Sequence, residues 1–394
     1  MTRRHRRAGR HASVAAAALL LVAACSTPTS GDLPAGAPPR AAVSLGVAGP
    51  FDERTASAAW AAGASGAIVD VTWREAQPRE DGWDDGYLDG VADRIAALRR
   101  TGYQVVLNTG IQDAPGWVLA APGARFVDQD GRAYTDASVP NLVFDTGLRA
   151  LAQRYLTGLL DRFGGQVAVV RAGGGYWGEL SYPAVRGADG RLQNRYWAFD
   201  RYAAASDPVP GWRPGDPSPH GEARRFLTWY LDALVDYQSW QFTALRTAGW
   251  AGPVAVLYPS WGMRPGDFDA AVADDLSGRS TAEVNGEVQR GHDHAGQVAA
   301  LTDPKAIVWG TWAENRGTLE ELRSLARAHG LPLVAENANP LSAAQLRETV
   351  AAAGELGLTA FFYVRASDLA CGCDGHAGFA DLRADYTALG RRRS

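Results

Sequence analysis

Eight short apolar segments, separated by stretches with helical periodicity, constrain the fold of this chain more than any other feature of its sequence. Each segment is continuously apolar and rich in β-branched residues, which is typical of strands buried on both faces of a parallel sheet. Eight strand–helix units in series predict an α/β fold of the (β/α)8 barrel type. The segments are Ala41–Val47, Ala67–Thr72, Gln104–Asn108, Val167–Arg171, Val254–Tyr258, Ala306–Gly310, Leu333–Glu336 and Thr359–Val364.

The stretches between these segments support the same fold. Leu148, Tyr155 and Leu159 recur at helical spacing, and a glycine such as Gly102 follows several helical patterns where a C-cap is needed. An open, doubly wound sheet is the alternative fold, but residues 43–53 are a poor match to the glycine-rich phosphate loop that it requires. We therefore predict a single barrel over residues 41–394, with a long loop after the fourth strand.

The N-terminal segment has the pattern of a targeting sequence. A basic stretch at residues 1–13 precedes an apolar stretch that is too short to span a bilayer as a mature helix. The apolar stretch ends in VAAC, which resembles a bacterial lipobox whose cysteine, here Cys25, becomes the lipidated first residue. Residues 1–24 are thus predicted to be a lipoprotein signal peptide, and residues 25–40 a flexible tether. An ordinary secretory peptide with an incidental cysteine is the alternative.

This reading predicts an extracytoplasmic protein that is attached to the cell membrane by a lipid on Cys25. In an oxidising compartment Cys371 and Cys373 can form a disulfide, although free thiols are an alternative, and their spacing with His376 does not suit a zinc site. The net charge of −4 leaves no electrostatic footprint for nucleic acid. We expect neither a metal nor an organic cofactor.

Two glutamates follow predicted strands on the side of the barrel where catalytic residues gather. Glu179 lies just after the fourth strand in GGGYWGELSYP, and Glu336 ends the seventh strand in LPLVAENANP. Two carboxylates in one pocket are the equipment for cleaving a glycosidic bond, since one protonates the leaving oxygen and the other attacks or activates water. We predict Glu179 as the general acid and Glu336 as the nucleophile or base, with Glu314 as a rival second carboxylate.

The predicted loops after the strands are rich in aromatic, amide and charged side chains, which suit the apolar face and the hydroxyls of a sugar. Trp177 is expected to shield Glu179 from water, and Asn337 to orient Glu336. The aromatic residues of the loop at residues 181–221 either wall the substrate cleft or pack the loop onto the barrel. The predicted substrate-binding residues are Trp73, Asp113, Trp117, Trp177, Tyr258, Trp261, Trp312, Glu314, Asn337 and Arg365.

Other polar residues are harder to assign from the sequence. Asp70 lies inside an apolar segment and is either a paired structural acid or a substrate-binding one. His292 and His294 are expected at a solvated helix end, with metal binding as the less favoured alternative.

The motifs resemble those of two glycosidase families built on this barrel. Gln77-Pro78, Gly82-Trp83 and the APGW segment ending at Trp117 are similar to segments of the family 42 β-galactosidases. GGGYWGELSYP and VAENANP are similar to the acid and base motifs of the family 14 β-amylases, with Glu179 and Glu336 at the matching positions. The resemblance covers about residues 41–390, and it implies a barrel glycosidase with one carboxylate after strand four and one on strand seven.

The sequence therefore predicts a glycosidase that cleaves O-glycosidic bonds of an extracellular oligo- or polysaccharide. Its predicted partners are this carbohydrate and the membrane, and not nucleic acid. A catalytically silent carbohydrate-binding lipoprotein on the same barrel is the alternative, because Gly178 stands where the β-galactosidase clan has asparagine and because the loop at residues 110–117 is short. The sugar, the linkage and the stereochemical course are open.

Overall fold

Eight parallel strands close into a barrel in the residues that the structure describes. The structure is a computed structural model that describes residues 43–49, 52–279 and 282–391. Each strand pairs with the next along the chain and the last pairs with the first, so the predicted (β/α)8 barrel is confirmed. The strands are β1 (Ser44–Ala48), β2 (Ala64–Asp70), β3 (Gln104–Asn108), β4 (Val169–Ala172), β5 (Val254–Tyr258), β6 (Ala306–Gly310), β7 (Leu333–Glu336) and β8 (Ala360–Val364).

The helices begin and end where the sequence supplies capping residues. Ser342 and Gln345 form a capping box at the start of α12, and Gly357 ends that helix in the left-handed conformation with φ 64°. The helices are α1 (Glu53–Ala61), α2 (Trp73–Ala76), α3 (Asp85–Thr101), α4 (Gly116–Leu119), α5 (Thr146–Phe163), α6 (Arg201–Ala204), α7 (Glu222–Thr247), α8 (Asp267–Ala273), α9 (Ala282–Gln289), α10 (His294–Ala299), α11 (Arg316–Ala328), α12 (Ala343–Leu356), α13 (Ala366–Cys371) and α14 (Phe379–Arg391).

Successive residues of each strand face opposite sides of the barrel wall. One set packs against the surrounding helices and the other fills the barrel, where the Phe362 ring lies. A Cβ atom at Gly46 or Gly66 would lie 2.2 Å or 2.7 Å from that ring, so these two glycines provide the space it occupies. At the C-terminal ends of five of the strands, the inward set finishes on polar or amphipathic residues: Asp70, Asn108, Arg171, Trp309 and Glu336.

The long loop after β4 packs onto the barrel. The rings of Tyr196, Phe199 and Trp212 surround Phe226 of α7, with centroid distances of 6.0, 5.7 and 5.6 Å. Tyr196 and Trp212 are buried. Of the two expectations for these aromatic residues, packing against the barrel is the one that the structure supports.

The predicted signal peptide, the tether and Cys25 lie outside the described residues, as do the first residues of the predicted first strand. The described residues form one compact unit. Within the described residues no helix is long and apolar enough to cross a membrane. Cys371 and Cys373 are joined in a disulfide at the end of α13, so the disulfide alternative holds for this pair.

Candidate active site

Glu336 is the last residue of β7 and lies inside the barrel, where it is only 8% exposed. Arg171 donates a hydrogen bond from Nη2 to Oε1 of Glu336 at 3.1 Å, and Trp309 donates from Nε1 to Oε2 at 3.0 Å. Burial raises the pKa of Glu336, while the charge of Arg171 and these two hydrogen bonds oppose the rise. Both oxygens accept a hydrogen bond and one faces a cation, which favours the ionised form, but burial prevails and the pKa of Glu336 stays above that of an ordinary glutamate.

Glu179 lies just beyond β4 on a turn with a closely packed backbone. Trp177 and Gly178 have positive φ angles of 63° and 79°. A Cβ atom at Gly173 would lie 1.8 Å from the carbonyl oxygen of Gly178, so the close backbone approach requires glycine at position 173. The Gly175 N–H donates to the Glu179 carbonyl at 2.8 Å and closes the turn. Backbone packing therefore accounts for the first glycine of the GGG motif.

The Glu179 side chain is 14% exposed and has one hydroxyl and one cationic neighbour. Thr311 donates from Oγ1 to Oε1 at 2.7 Å, and Nη2 of Arg290 lies 3.5 Å from Oε2. Burial raises the pKa of Glu179; Arg290 and Thr311 oppose the rise, and the negative charge of Glu336 adds to it. Glu179 therefore keeps its proton to a higher pH than an ordinary glutamate, as a general acid should.

The two carboxyl groups belong to one pocket at the C-terminal face of the barrel. They share Arg171 as a neighbour, because this residue binds Glu336 and its charge lowers the pKa of Glu179. Thr311, which binds Glu179, follows β6, and β6 pairs with the strand that carries Glu336. The structure thus brings the predicted pair together, and burial raises the pKa of both carboxyl groups, while their hydrogen-bond partners differ.

Several residues of this pocket were not predicted from the sequence. Arg171 and Trp309 are both inward-facing, and the Arg171 guanidinium lies 4.9 Å from the centroid of the Trp309 ring. Asp70, which the sequence left open, accepts a hydrogen bond from Nδ2 of Asn108 at 2.8 Å and raises the pKa of Glu336. A charged residue inside an apolar strand was the available signal for Arg171 and Asp70.

Six of the predicted substrate-binding residues have exposed or half-exposed side chains on the loops after the strands. Trp177 is 73% exposed, so it does not shield Glu179 from water, which corrects that expectation. The rings of Trp261 and Trp312 lie beside each other, with centroids 5.4 Å apart. Burial raises the pKa of Asp113, an effect that Arg74 opposes. Sugar contact stays a prediction for these six residues: Asp113, Trp117, Trp177, Trp261, Trp312 and Arg365.

Trp73 and Tyr258 were predicted to bind substrate, but both are fully buried. Trp73 stacks on Tyr155 at a centroid distance of 5.0 Å, and the Tyr258 hydroxyl donates to Oε1 of Gln238 at 2.9 Å. Neither ring presents a surface to a ligand in this structure. The prediction of direct sugar contact is corrected for these two residues, which support the barrel wall instead.

Asn337 and Glu314 are engaged in holding the loop after β7. The Val364 N–H donates to Oδ1 of Asn337 at 2.8 Å, and Nδ2 of Asn337 donates to the Val364 carbonyl at 2.6 Å. The Glu314 carboxylate accepts the backbone N–H groups of Ala338 and Asn339, each at 3.0 Å. These contacts fix the loop that follows Glu336. The polar groups of both residues therefore hold this loop, which corrects the prediction that they bind sugar. Because its carboxylate is used in this way, Glu314 is not favoured as the second catalytic carboxylate.

His292 and His294 are buried, which contradicts the expectation of a solvated helix end. Burial lowers the pKa of His294 to about 3, and it also lowers the pKa of His292. Within the described part of the chain, no group of three or more His, Cys, Asp or Glu side chains is arranged to hold a metal ion.

Residues 61–172 match the sequence model of glycoside hydrolase family 42, which is described as beta-galactosidase. The chain resembles the (β/α)8 glycoside hydrolases. The matched segment runs from the end of α1 to the end of β4 and stops before both carboxylates of the pocket. No curated protein matches the chain by sequence.

Solved structures of glycoside hydrolases share the fold. The catalytic domain of β-amylase from Paenibacillus polymyxa has a TM-score of 0.70 at 15% identity, covering 88% of this chain and 98% of that one. The β-galactosidase from the psychrophilic Marinomonas ef1 has a TM-score of 0.57 at 14% identity, and that from the haloarchaeon Halorubrum lacusprofundi has 0.55 at 17%. Both comparisons cover 89% of this chain but only 59% and 58% of the β-galactosidases. Both families that the motifs resemble are therefore among the structural neighbours.

Proposed function

We propose that this protein is a glycoside hydrolase that cleaves O-glycosidic bonds of an extracellular oligo- or polysaccharide by a two-carboxylate mechanism. The observation that carries the proposal is the contrast between two buried glutamates in one pocket. Glu336 accepts hydrogen bonds from Arg171 and Trp309, whereas Glu179 has a hydroxyl and a more distant guanidinium. In glycosidases, two carboxyl groups in different environments take the separate roles of acid and base. The family match over residues 61–172 supports the same reaction class.

In the proposed reaction Glu179 gives its proton to the glycosidic oxygen as the bond to the anomeric carbon breaks. Glu336 either attacks that carbon and forms an ester, which water then hydrolyses, or takes a proton from the water that attacks directly. Arg171 and Trp309 hold Glu336 in place and stabilise its charge before the reaction. Trp177, Trp261 and Trp312 are the proposed aromatic surfaces for the sugar rings around this centre.

The activity is tested by incubating the purified protein with a panel of substrates. The panel should contain aryl β-galactosides, aryl α- and β-glucosides, and maltooligosaccharides, with the first-formed anomer followed by proton NMR. We expect hydrolysis of at least one member, and the anomer will distinguish retention from inversion. Sugar binding by calorimetry without any product would instead favour the silent carbohydrate-binding protein.

The proposed location is extracytoplasmic, with a lipid on Cys25 as the anchor. The order of a basic stretch, a short apolar stretch and VAAC supports it. The disulfide between Cys371 and Cys373 suits an oxidising compartment.

Replacing Cys25 with alanine is expected to move the protein from the membrane fraction to the soluble fraction of the native host, because the lipid attachment atom is lost. Detergent-phase partitioning followed by immunoblotting measures this. A Cys371→Ser/Cys373→Ser variant is the matched control and should stay with the membrane. Unchanged partitioning of Cys25→Ala would exclude the lipid anchor.

A further inference from the structure

Arg290 reaches Glu179 from outside the strands that build the rest of the pocket. It lies on the turn after α9, in the long connection between β5 and β6. Its Nη2 atom is 3.5 Å from Oε2 of Glu179, and its side chain is 21% exposed. A long side chain on a connecting turn has many rotamers, so something must fix it if the contact is to be maintained.

Glu287, in the last turn of α9, joins this turn to the loop after β5. Its Oε1 atom accepts a hydrogen bond from Oγ of Ser260 at 2.7 Å, and its Oε2 atom accepts the Gly262 N–H at 2.9 Å. Nδ1 of His292 lies 2.9 Å from the same Oε2 atom. Glu287 is only 4% exposed, so this three-donor arrangement is shielded from water.

The pKa shifts of Glu287 and His292 favour a hydrogen bond between these two side chains. Burial opposes the ionisation of Glu287, but His292 and the hydrogen bonds from His292 and Ser260 outweigh it and lower the pKa of Glu287. Burial and the charge of Arg290 lower the pKa of His292. An ionised Glu287 can only accept, so Nδ1 of His292 is the donor in this contact.

The backbone around Arg290 is also tied to the β4 loop. The Tyr182 N–H donates to the Arg290 carbonyl at 2.9 Å, three residues beyond Glu179. The Arg195 N–H donates to Oε1 of Gln289 at 2.8 Å, and the Tyr230 hydroxyl donates to the Gln289 carbonyl at 2.8 Å. The main chain next to Arg290 is thus held, and Glu287 binds His292, two residues beyond Arg290.

We propose that Glu287 is a positioning residue, which keeps the Arg290 guanidinium against the Glu179 carboxyl group by joining the α9–α10 turn to the loop after β5. The inference rests on the proposed function of Glu179 as the general acid. Neither Glu287 nor His292 touches the reacting atoms, so both act through Arg290.

The charged groups that face Glu179 are Arg290, Arg171 and Glu336, with the Thr311 hydroxyl as the neutral neighbour. Arg171 is hydrogen-bonded to Glu336, which leaves Arg290 as the cation in contact with Glu179 itself. A cation next to a carboxyl group favours the charged form. Loss or displacement of Arg290 therefore raises the pKa of Glu179, and the basic limb of the kcat/KM profile moves to higher pH.

The experiment is a titration of the Glu179 carboxyl group by carbon NMR in protein labelled at the glutamate carboxyl carbons, with Glu179→Gln used for assignment. We expect Glu287→Gln and Arg290→Met each to raise the pKa of Glu179 by about one unit. Arg290→Lys should keep most of the wild-type value, since it keeps the charge. The double variant Glu287→Gln/Arg290→Met should shift no further than Arg290→Met alone, because both changes remove the same interaction. The pH profile of kcat/KM should move in the same direction.

Asp385→Asn is the matched control, because Asp385 is a buried carboxylate that pairs with Arg347 at 3.5 Å between α12 and α14. It should lower the melting temperature without moving the Glu179 titration. A wild-type titration in Glu287→Gln with a lowered melting temperature would show a merely structural role and overturn the proposal. If Glu287→Gln does not fold, Ser260→Ala removes one of its hydrogen bonds and should give a smaller shift of the same sign, and no shift would again overturn it. Absence of turnover in the wild type would reject the proposed function, while the titration still decides the positioning role.

Discussion

Replacing Glu336 with glutamine is expected to abolish glycoside hydrolysis, with kcat reduced by at least about 10²–10⁴-fold. Glutamine keeps the shape, but its single carbonyl oxygen replaces only one of the two oxygens that accept from Arg171 and Trp309, and it has no charge with which to attack the anomeric carbon or to take a proton from water. Steady-state kinetics on the best substrate of the panel measures the effect. Glu314→Gln is the control and should keep turnover, because its carboxylate binds backbone N–H groups.

Glu179→Gln should be equally inactive on substrates with poor leaving groups, but it should retain more activity on dinitrophenyl glycosides. Such a leaving group departs without a proton, so the acid is needed less. Added azide should restore turnover in Glu336→Gly when the acid is intact, by replacing the missing carboxylate. Full activity of either glutamine variant on ordinary glycosides would reject the assignment of this pair.

Replacing Arg171 with methionine is expected to destabilise the protein by about 3–5 kcal/mol, the usual effect of removing one partner of a buried ion pair. Arg171 is 6% exposed and binds a Glu336 side chain that is itself buried. Its loss leaves a carboxylate in the barrel without its cation. Chemical denaturation followed by tryptophan fluorescence measures the change in the free energy of unfolding.

The stability of the Arg171→Met variant is also expected to depend on pH. Without Arg171 the pKa of Glu336 rises further above its unfolded value, so the penalty is present above the folded pKa and disappears as the pH falls towards the unfolded value. Arg171→Met should therefore recover stability on acidification relative to the wild type. The double variant Arg171→Met/Glu336→Gln should lose less than Arg171→Met alone. Equal stability of Arg171→Met and wild type at neutral pH would show that the pair is not a significant stabilising element.

The barrel itself was predictable because buried parallel strands are continuous apolar runs between polar loops. The bounds of β3, β5, β6 and β7 are those expected from the sequence. β2 was expected to begin at Ala67, but it begins at Ala64 and includes Gly66. A glycine does not look like a strand residue, and the reason for it is tertiary: Phe362 needs the space that a side chain would fill.

The pocket was predictable where chemistry coincides with the end of a strand, as it does for Glu179 and Glu336. It was not predictable where a single step in register decides which face a side chain occupies. Tyr258 and Trp309 both lie near strand ends, yet Tyr258 packs among the helices and Trp309 binds Glu336. No sequence pattern near Arg290 indicated its contact with Glu179, because the two residues are 111 positions apart in the chain.

The aromatic pair inside the barrel has a consequence for how this scaffold can change. Trp309 and Phe362 lie with ring centroids 4.7 Å apart, and Trp309 also donates to Glu336. The layer that completes the hydrophobic filling of the barrel thus also holds the Glu336 carboxylate. Substitutions in this layer are therefore expected to change the stability of the barrel and the position of Glu336 together.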